Sequence, residues 1–176
     1  MNKLQQLLKP LTIGLMVLLT LFSAPTMAQE KQWTVEQQNI ININTWVPLA
    51  LKKSGFEEYS KLFHPDYSNW VMSTDPIRVL NREQFLTGVK SWFDAGNYAH
   101  FSFVEPISVD IMGDIAYVRH LQEEHFTHPD GTKSKFMGHF ASIMKKHNGR
   151  WTFYRTSFDI RYRGPLDGTD KTFVNE

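Results

Sequence analysis

Three side chains in this sequence are placed to move protons: Asp66, His120 and His139. Asp66 follows Pro65 and precedes Tyr67, with Trp70 close by. It reads as a general base or ligand-orienting acceptor, or as a turn aspartate that hydrogen-bonds nearby backbone. His120 belongs to an alternating stretch, Ile115 to His125. Strand periodicity puts Ala116, Val118, His120, Gln122 and Glu124 on one face, and Ile115, Tyr117, Arg119, Leu121 and Glu123 on the other. Both faces are mixed, so two readings stay open. If the first set points inward, His120 is a buried imidazole able to act as acid or base, or a hydrogen-bonded structural histidine. If the second set does, Tyr117 and Arg119 are suited to an anionic ligand.

His139 stands between Gly138 and Phe140, where a buried imidazole would need a partner. His100 stands at the entrance to the first long strand and carries the same ambiguity. Tyr154 and Arg155 occupy opposite faces of the last strand, so one of them can meet a cavity. Trp46, Trp70, Trp92 and Phe140 read either as plain core or as the apolar wall of a ligand site.

Other chemistries lack their residues. There are no cysteines among 176 residues, which excludes disulfides, thiol nucleophiles and cysteine-based metal sites. The histidines make no HExxH, and His125 with His128 has no evident third ligand, so no metal is expected. No GxGxxG, P-loop or GxSxG motif is present, so nucleotide binding and acyl transfer lack support and no cofactor is expected. Charge runs such as Glu123-Glu124 and Lys145-Lys146 are expected to face solvent near hairpin ends.

The elements that must hold these residues are announced by local signals. Thr34 with Gln37, Ser54 with Glu57 and Asn81 with Gln84 each place a capping side chain three residues before Gln or Glu, predicting three helices. The first carries Ile40, Ile43, Val47 and Ala50 at helical spacing, with Pro48 predicting a kink. The third shows Phe85, Val89 and Trp92 and stops near Gly96-Asn97. A short strand is expected around Tyr67 to Met72. From His100 the period becomes strand-like: 101–111, 115–125, 135–146 and 151–162, with Pro106 belonging at an edge or bulge. Gly113-Asp114, Pro129-Asp130-Gly131 and Asn148-Gly149 connect them, the last as a type I′ turn. The tail from Gly164 is polar and expected to be loosely held.

Helices followed by a meander make an α+β domain. Long hairpin strands must coil. Three N-terminal helices on the concave face of a strongly curved antiparallel sheet would then enclose a conical cavity.

Several local patterns, in order, resemble the nuclear transport factor 2-like superfamily, close to the SnoaL-like polyketide cyclase group. They are the first helix with Trp46, Leu62-Phe63-His64-Pro65-Asp66-Tyr67, Gly113-Asp114-Ile115-Ala116-Tyr117-Val118, and Lys146-His147-Asn148-Gly149-Arg150-Trp151. The last is similar to the family's "K-x-[DN]-G-x-W" hairpin. Together they span Trp33 to Ile160. The resemblance implies a cone-shaped α+β barrel with a ligand pocket, often dimerising through the outer sheet face. It implies proton transfer by Asp, His or Tyr in the members that are enzymes, and does not fix one activity.

The expectation is a small-molecule-binding domain over 29–163, taking an apolar or carbonyl-containing molecule and forming a homodimer. The alternatives are a cofactor-independent lyase or isomerase, with Asp66 or His120 as base and Tyr67 or His139 polarising the oxygen, and a structural interaction module. Lys3 and Lys9, the apolar run Leu11 to Phe22 and Thr26-Met27-Ala28 read as a signal peptide cut after Ala28, predicting a periplasmic or secreted protein. The run is short for a bilayer crossing, which needs about 20 apolar residues, so no stable membrane insertion is expected once it is cut. Those two lysines account for the formal net charge of +1, and no basic stripe remains to suggest nucleic acid.

Overall fold

The computed structural model describes residues 32–72 and 74–166. The expected signal peptide lies outside them. The element order is α1 (Val35–Ser60), β1 (Phe63–Val71), β2 (Arg78–Asn81), α2 (Arg82–Asp94), β3 (Tyr98–Met112), β4 (Ile115–Thr127), β5 (Lys133–His147) and β6 (Arg150–Pro165). The fold is α+β, as expected from the sequence.

Both helices start on the predicted capping boxes. At α1 the Thr34 hydroxyl accepts from the Gln37 amide at 3.2 Å, and Gln37 Oε1 accepts from the Thr34 amide at 2.9 Å. At α2 the Asn81 side chain and Gln84 do the same at 2.9 and 3.0 Å. Each pair satisfies two amides that the first helical turn leaves without intrahelical acceptors. The expected separate second helix is not found. Residues 56–60 continue α1 across a break at Gly55, whose φ of 80° and ψ of 169° are non-helical. Gly55 takes this conformation because it has no Cβ to clash. Pro48, where the kink was expected, sits inside α1 with the helix running through it.

The six strands form one open sheet in the order β2-β1-β6-β5-β4-β3. It is mixed rather than antiparallel, because β1 runs parallel to β6. It is also not a closed barrel, since β2 and β3 are its two edges. β2 itself was not foreseen. The 115–125, 135–146 and 151–162 strands each run a few residues further than expected, and β6 takes in Gly164 and Pro165 from the predicted tail. Asn148 (φ 52°) and Gly149 (φ 75°) both have the positive φ of a type I′ turn. Pro106 lies at a register shift in edge strand β3, where its missing N–H costs no ladder bond.

The helices cover one face of this sheet. Ile40, Ile41, Ala50 and Leu51 of α1 join Val104, Val109, Ala116, Val118, Met144 and Phe153 in the core. Polar ties also dock α1: Gln37 donates to the Val109 carbonyl at 2.7 Å, and Glu36 pairs with Lys146 at 2.9 Å and accepts from Trp151 Nε1 at 3.2 Å. Arg82, at the start of α2, donates to the Ser60 and Phe63 carbonyls and ties α2 to the end of α1.

Candidate functional site

Packing fills only part of the space between helices and sheet. The rest is a largely apolar cavity of about 750 Å³, open on one side. That is within the range of small-molecule sites, about 300–1,000 Å³. Its helical wall includes Val47, Leu51, Phe85, Val89 and Trp92, and its sheet wall includes Phe136, Phe140, Phe153 and Phe158. Trp92 is held edge-on against Phe126 at 5.4 Å. Phe63, Tyr59, Tyr67, Phe85 and Phe153 form one aromatic cluster, with Phe63 central and its partners 4.8 to 5.6 Å away.

The orientation of β4 follows from its burial. Ala116, Val118, His120 and Gln122 are buried, while Ile115, Tyr117 and Arg119 between them are exposed. The first set therefore points inward and brings Glu124 with it. Three consecutive inward positions form a chain of hydrogen bonds. Gln122 Nε2 donates to Glu124 Oε1 at 2.8 Å, and His120 Nε2 lies 3.0 Å from Gln122 Oε1. Since an amide oxygen can only accept, His120 carries its proton on Nε2, which leaves Nδ1 a lone pair. That Nδ1 has no partner among the described residues.

The cavity sets the charge of this chain. Burial in apolar surroundings pushes the Glu124 carboxyl up to about 7. Burial holds His120 down to about 4, against the opposing hydrogen bond that it donates to Gln122. The imidazole is thus neutral near pH 7, while the carboxyl is divided between its two forms. Across the cavity, burial raises Tyr67 to about 12, an effect partly offset by its neighbours Thr156 and Asn69. Burial likewise pushes Tyr59 well up, reinforced by the charges of Tyr67 and Glu124. Both phenols therefore stay protonated and can donate.

A second polar group is a row crossing three strands. Asn69 of β1 pairs with Thr156 of β6, which pairs with Ser142 of β5. All three line the cavity. Asn69 donates to the Tyr67 hydroxyl at 3.2 Å. The Thr156 and Ser142 hydroxyls are buried without a hydrogen bond of normal geometry. Thr156 stands near the Tyr67 hydroxyl without completing one. Buried hydroxyls left unpaired cost free energy that a ligand oxygen can recover.

The residues singled out from the sequence are now distributed as follows. Tyr67, Trp92 and Phe140 line the cavity. His120 is 1% exposed and stacks on Phe140 at 5.2 Å, behind the wall. Asp66 is exposed and outside the cavity, its amide donating to His64 Nδ1 at 3.1 Å, so it cannot serve as a base within that cavity. His100 and His139 are exposed as well. Trp46 and Trp70, 38% and 42% exposed, lie away from the lining and do not fill it. Tyr117 and Arg119 face outward. Tyr154 is half-buried outside the cavity, between the His64 ring and the Arg155 guanidinium.

The acid inside the cavity is thus Glu124, which the sequence reading sent to solvent as part of a charge run. Its parity with His120 was the signal. Among the described residues no group of three His, Asp or Glu is disposed to hold a metal ion, and no helix is long and apolar enough to cross a membrane.

This arrangement has many structural counterparts. A conserved protein from Planctomyces limnophilus superposes with a TM-score of 0.62 at 17% identity, covering 74% of this chain and 98% of that one. A candidate scytalone dehydratase from Novosphingobium aromaticivorans gives 0.58 at 16%, covering 77% and 96%. A ketosteroid isomerase-like protein from Erwinia carotovora atroseptica gives 0.54 at 16%, covering 73% and 99%. Among curated proteins none matches the chain. The SnoaL-like domain model matches residues 40–158, from the first buried turn of α1 to the aromatic wall of β6. The chain therefore belongs to the SnoaL-like family, within the nuclear transport factor 2-like fold.

Proposed function

We propose that the chain is an exported protein that binds a small, mostly apolar molecule carrying an oxygen function, in the cavity between α1, α2 and the sheet. The observation that carries this reading is the open apolar cavity of about 750 Å³ with the unpaired Ser142 and Thr156 hydroxyls in its wall. A structural module would have no use for such a space, since native cores leave few voids larger than a water molecule. Cyclic ketones and enones of graded size are suitable probes, because Trp92 in the wall reports their entry by fluorescence. Saturable quenching that weakens in a Ser142→Ala/Thr156→Val double variant is expected. Absence of saturation for every probe would end the binding reading.

A second reading is cofactor-independent proton transfer, favoured by one observation: a carboxyl poised near neutrality within an apolar cavity. A base tuned to the working pH exchanges protons in both directions. Here Glu124 replaces Asp66 as the acid–base group, and Tyr59 or Tyr67 supplies a hydrogen bond to a developing enolate. Relatives named for isomerase-like and dehydratase activity are consistent with such chemistry. Deuterium wash-in at the α-carbon of a bound enone, followed by NMR, should fall about 10²-fold or more in Glu124→Gln. Equal rates in both proteins would remove this reading and leave binding.

Export and pairing complete the proposal. Phe101, Phe103, Met112, Ile115 and Tyr117 lie exposed on the outer face of β3 and β4, an apolar surface suited to a second copy. Intact mass and light scattering on the exported protein test both points. A chain beginning at Gln29 and a particle of twice its mass are expected, with Phe103→Glu reducing it to one copy. A retained leader or a native monomer would count against export or pairing respectively.

A further inference from the structure

The lining of the cavity is biased in charge. Arg78, Lys135 and Arg163 border it, whereas Glu124 is its one acidic member. The chain as a whole has 19 Lys and Arg against 18 Asp and Glu, so this bias is local. Among the described residues none of the three cations has a carboxylate within 4.0 Å. Lys135 is turned to the Tyr162 ring, 5.3 Å from its centroid. Arg163 makes no such contact, and Arg78 is held only through its backbone amide.

Register places these arginines. Arg163 pairs with Phe136, which pairs with Glu124, so they lie on the inner face in one row. Two strand spacings put their backbones about 10 Å apart. Arg78 pairs with Val71, which pairs with the cavity-lining Phe158, so it shares that face at the β2 edge of the sheet. Both arginines are exposed to solvent at the rim. The cavity therefore has polarity: an acid on β4, apolar aromatic walls between, and unpaired guanidinium groups on the far side.

We propose that the natural ligand is an amphipathic anion, with an apolar body inside the cavity and a carboxylate or other oxyanion at the Arg78/Arg163 rim. This rests on the binding reading above and adds the ligand's charge and orientation. A guanidinium presents a planar fork of donors to an oxyanion, so an arginine at the mouth of an apolar cavity favours an acid over its neutral ester. Arg78 stands level with Phe158, five residues along β6 from Arg163, so each is a separate anion position on the rim. The anionic end lies away from Glu124, so it does not oppose that group's ionisation.

Dodecanoate and methyl dodecanoate are matched probes that differ in this charge. Titrations followed by Trp92 fluorescence at low salt should show dodecanoate binding at least tenfold more tightly than the ester. The preference should shrink at 0.5 M salt and vanish in the Arg78→Gln/Arg163→Gln variant, which should keep the ester affinity. Dodecyl phosphate should share the arginine dependence, and its ratio to dodecanoate identifies which oxyanion the rim prefers. Ester and acid binding equally, or an acid preference that survives the double variant, would overturn the inference while leaving the cavity as a binding site. If neither probe binds and the cyclic ketones also fail, the binding reading itself falls.

Discussion

Replacing Glu124 with Gln is expected to leave stability unchanged near pH 4 and to raise it above that of the native chain by about 3 kcal/mol at pH 8. The carboxyl has an ordinary value of 4.5 in the unfolded chain and is pushed up to about 7 by burial. Between those values the folded state holds a proton that the unfolded state has lost, so native stability falls as pH rises. Below 4.5 both states are protonated and the effect is absent; above 7 both are ionised and the full cost remains. A displacement of this size corresponds to about 3 kcal/mol at about 1.4 kcal/mol for each pH unit, an upper figure because the cavity admits some solvent.

His120 produces the opposite slope. Its folded value near 4 lies below the ordinary 6.5, so the unfolded state binds the extra proton and stability rises with pH through that window. In the native chain the two slopes nearly cancel between about pH 4.5 and 6.5. Glu124→Gln should unmask the rising limb and move the stability maximum upward. Urea titrations of both proteins from pH 4 to 8 supply the difference curve. A flat difference would mean that Glu124 is solvated, and the proton-transfer reading would lose its basis.

Phe63→Ala is expected to be the most damaging single change on the cavity wall, costing about 3–5 kcal/mol. Phe63 is 5% exposed and touches rings from every layer: Tyr59 of α1, Tyr67 of its own strand, Phe85 of α2 and Phe153 of β6. Its removal takes away transfer free energy and four ring contacts, one edge-on, two tilted and one stacked, and enlarges a cavity that helices and sheet already leave unfilled. At about 2–4 °C for each kcal/mol in a chain of this size, Tm should drop by about 10–15 °C. Calorimetry on Phe63→Ala and Phe63→Leu checks this, the leucine recovering about half of the loss. A drop under about 3 °C would show that the wall collapses freely onto the vacated space.

Much of the fold could be read from local chemistry. Thr34 with Gln37 and Asn81 with Gln84 announced both helices, and Gly113-Asp114, Pro129-Asp130-Gly131 and Asn148-Gly149 announced the three hairpins of β3 to β6. What stayed hidden was non-local. The parallel pairing of β1 with β6 joins residues almost ninety positions apart, and four-residue β2 is a strand only because β1 offers it an edge. Ser54 signalled a helix start, but the chain only kinks at Gly55 and resumes as a single further turn, because a glycine can take the non-helical φ/ψ of the break.

The site was legible by half. Alternation in β4 grouped His120, Gln122 and Glu124 correctly, yet both faces carried charge, and only burial decided which was inside. Asp66 was attractive for its aromatic neighbours, but Tyr67 points in and Asp66 points out, as adjacent strand residues must.

The thirteen residues of β4 carry two separate messages. Even-numbered positions face inward, to the packed core at Ala116 and Val118 and to the cavity wall from Gln122 on, and odd-numbered positions face outward. On the proposed reading, a substitution at Gln122 alters what is bound without touching pairing, and one at Tyr117 does the reverse. A one-residue insertion before His120 would exchange the messages over the rest of the strand, sending Glu124 to solvent and an outward residue into the aromatic wall. If the proposed binding and pairing hold, ligand chemistry and self-association can drift apart by point changes, while the length of this strand is held fixed.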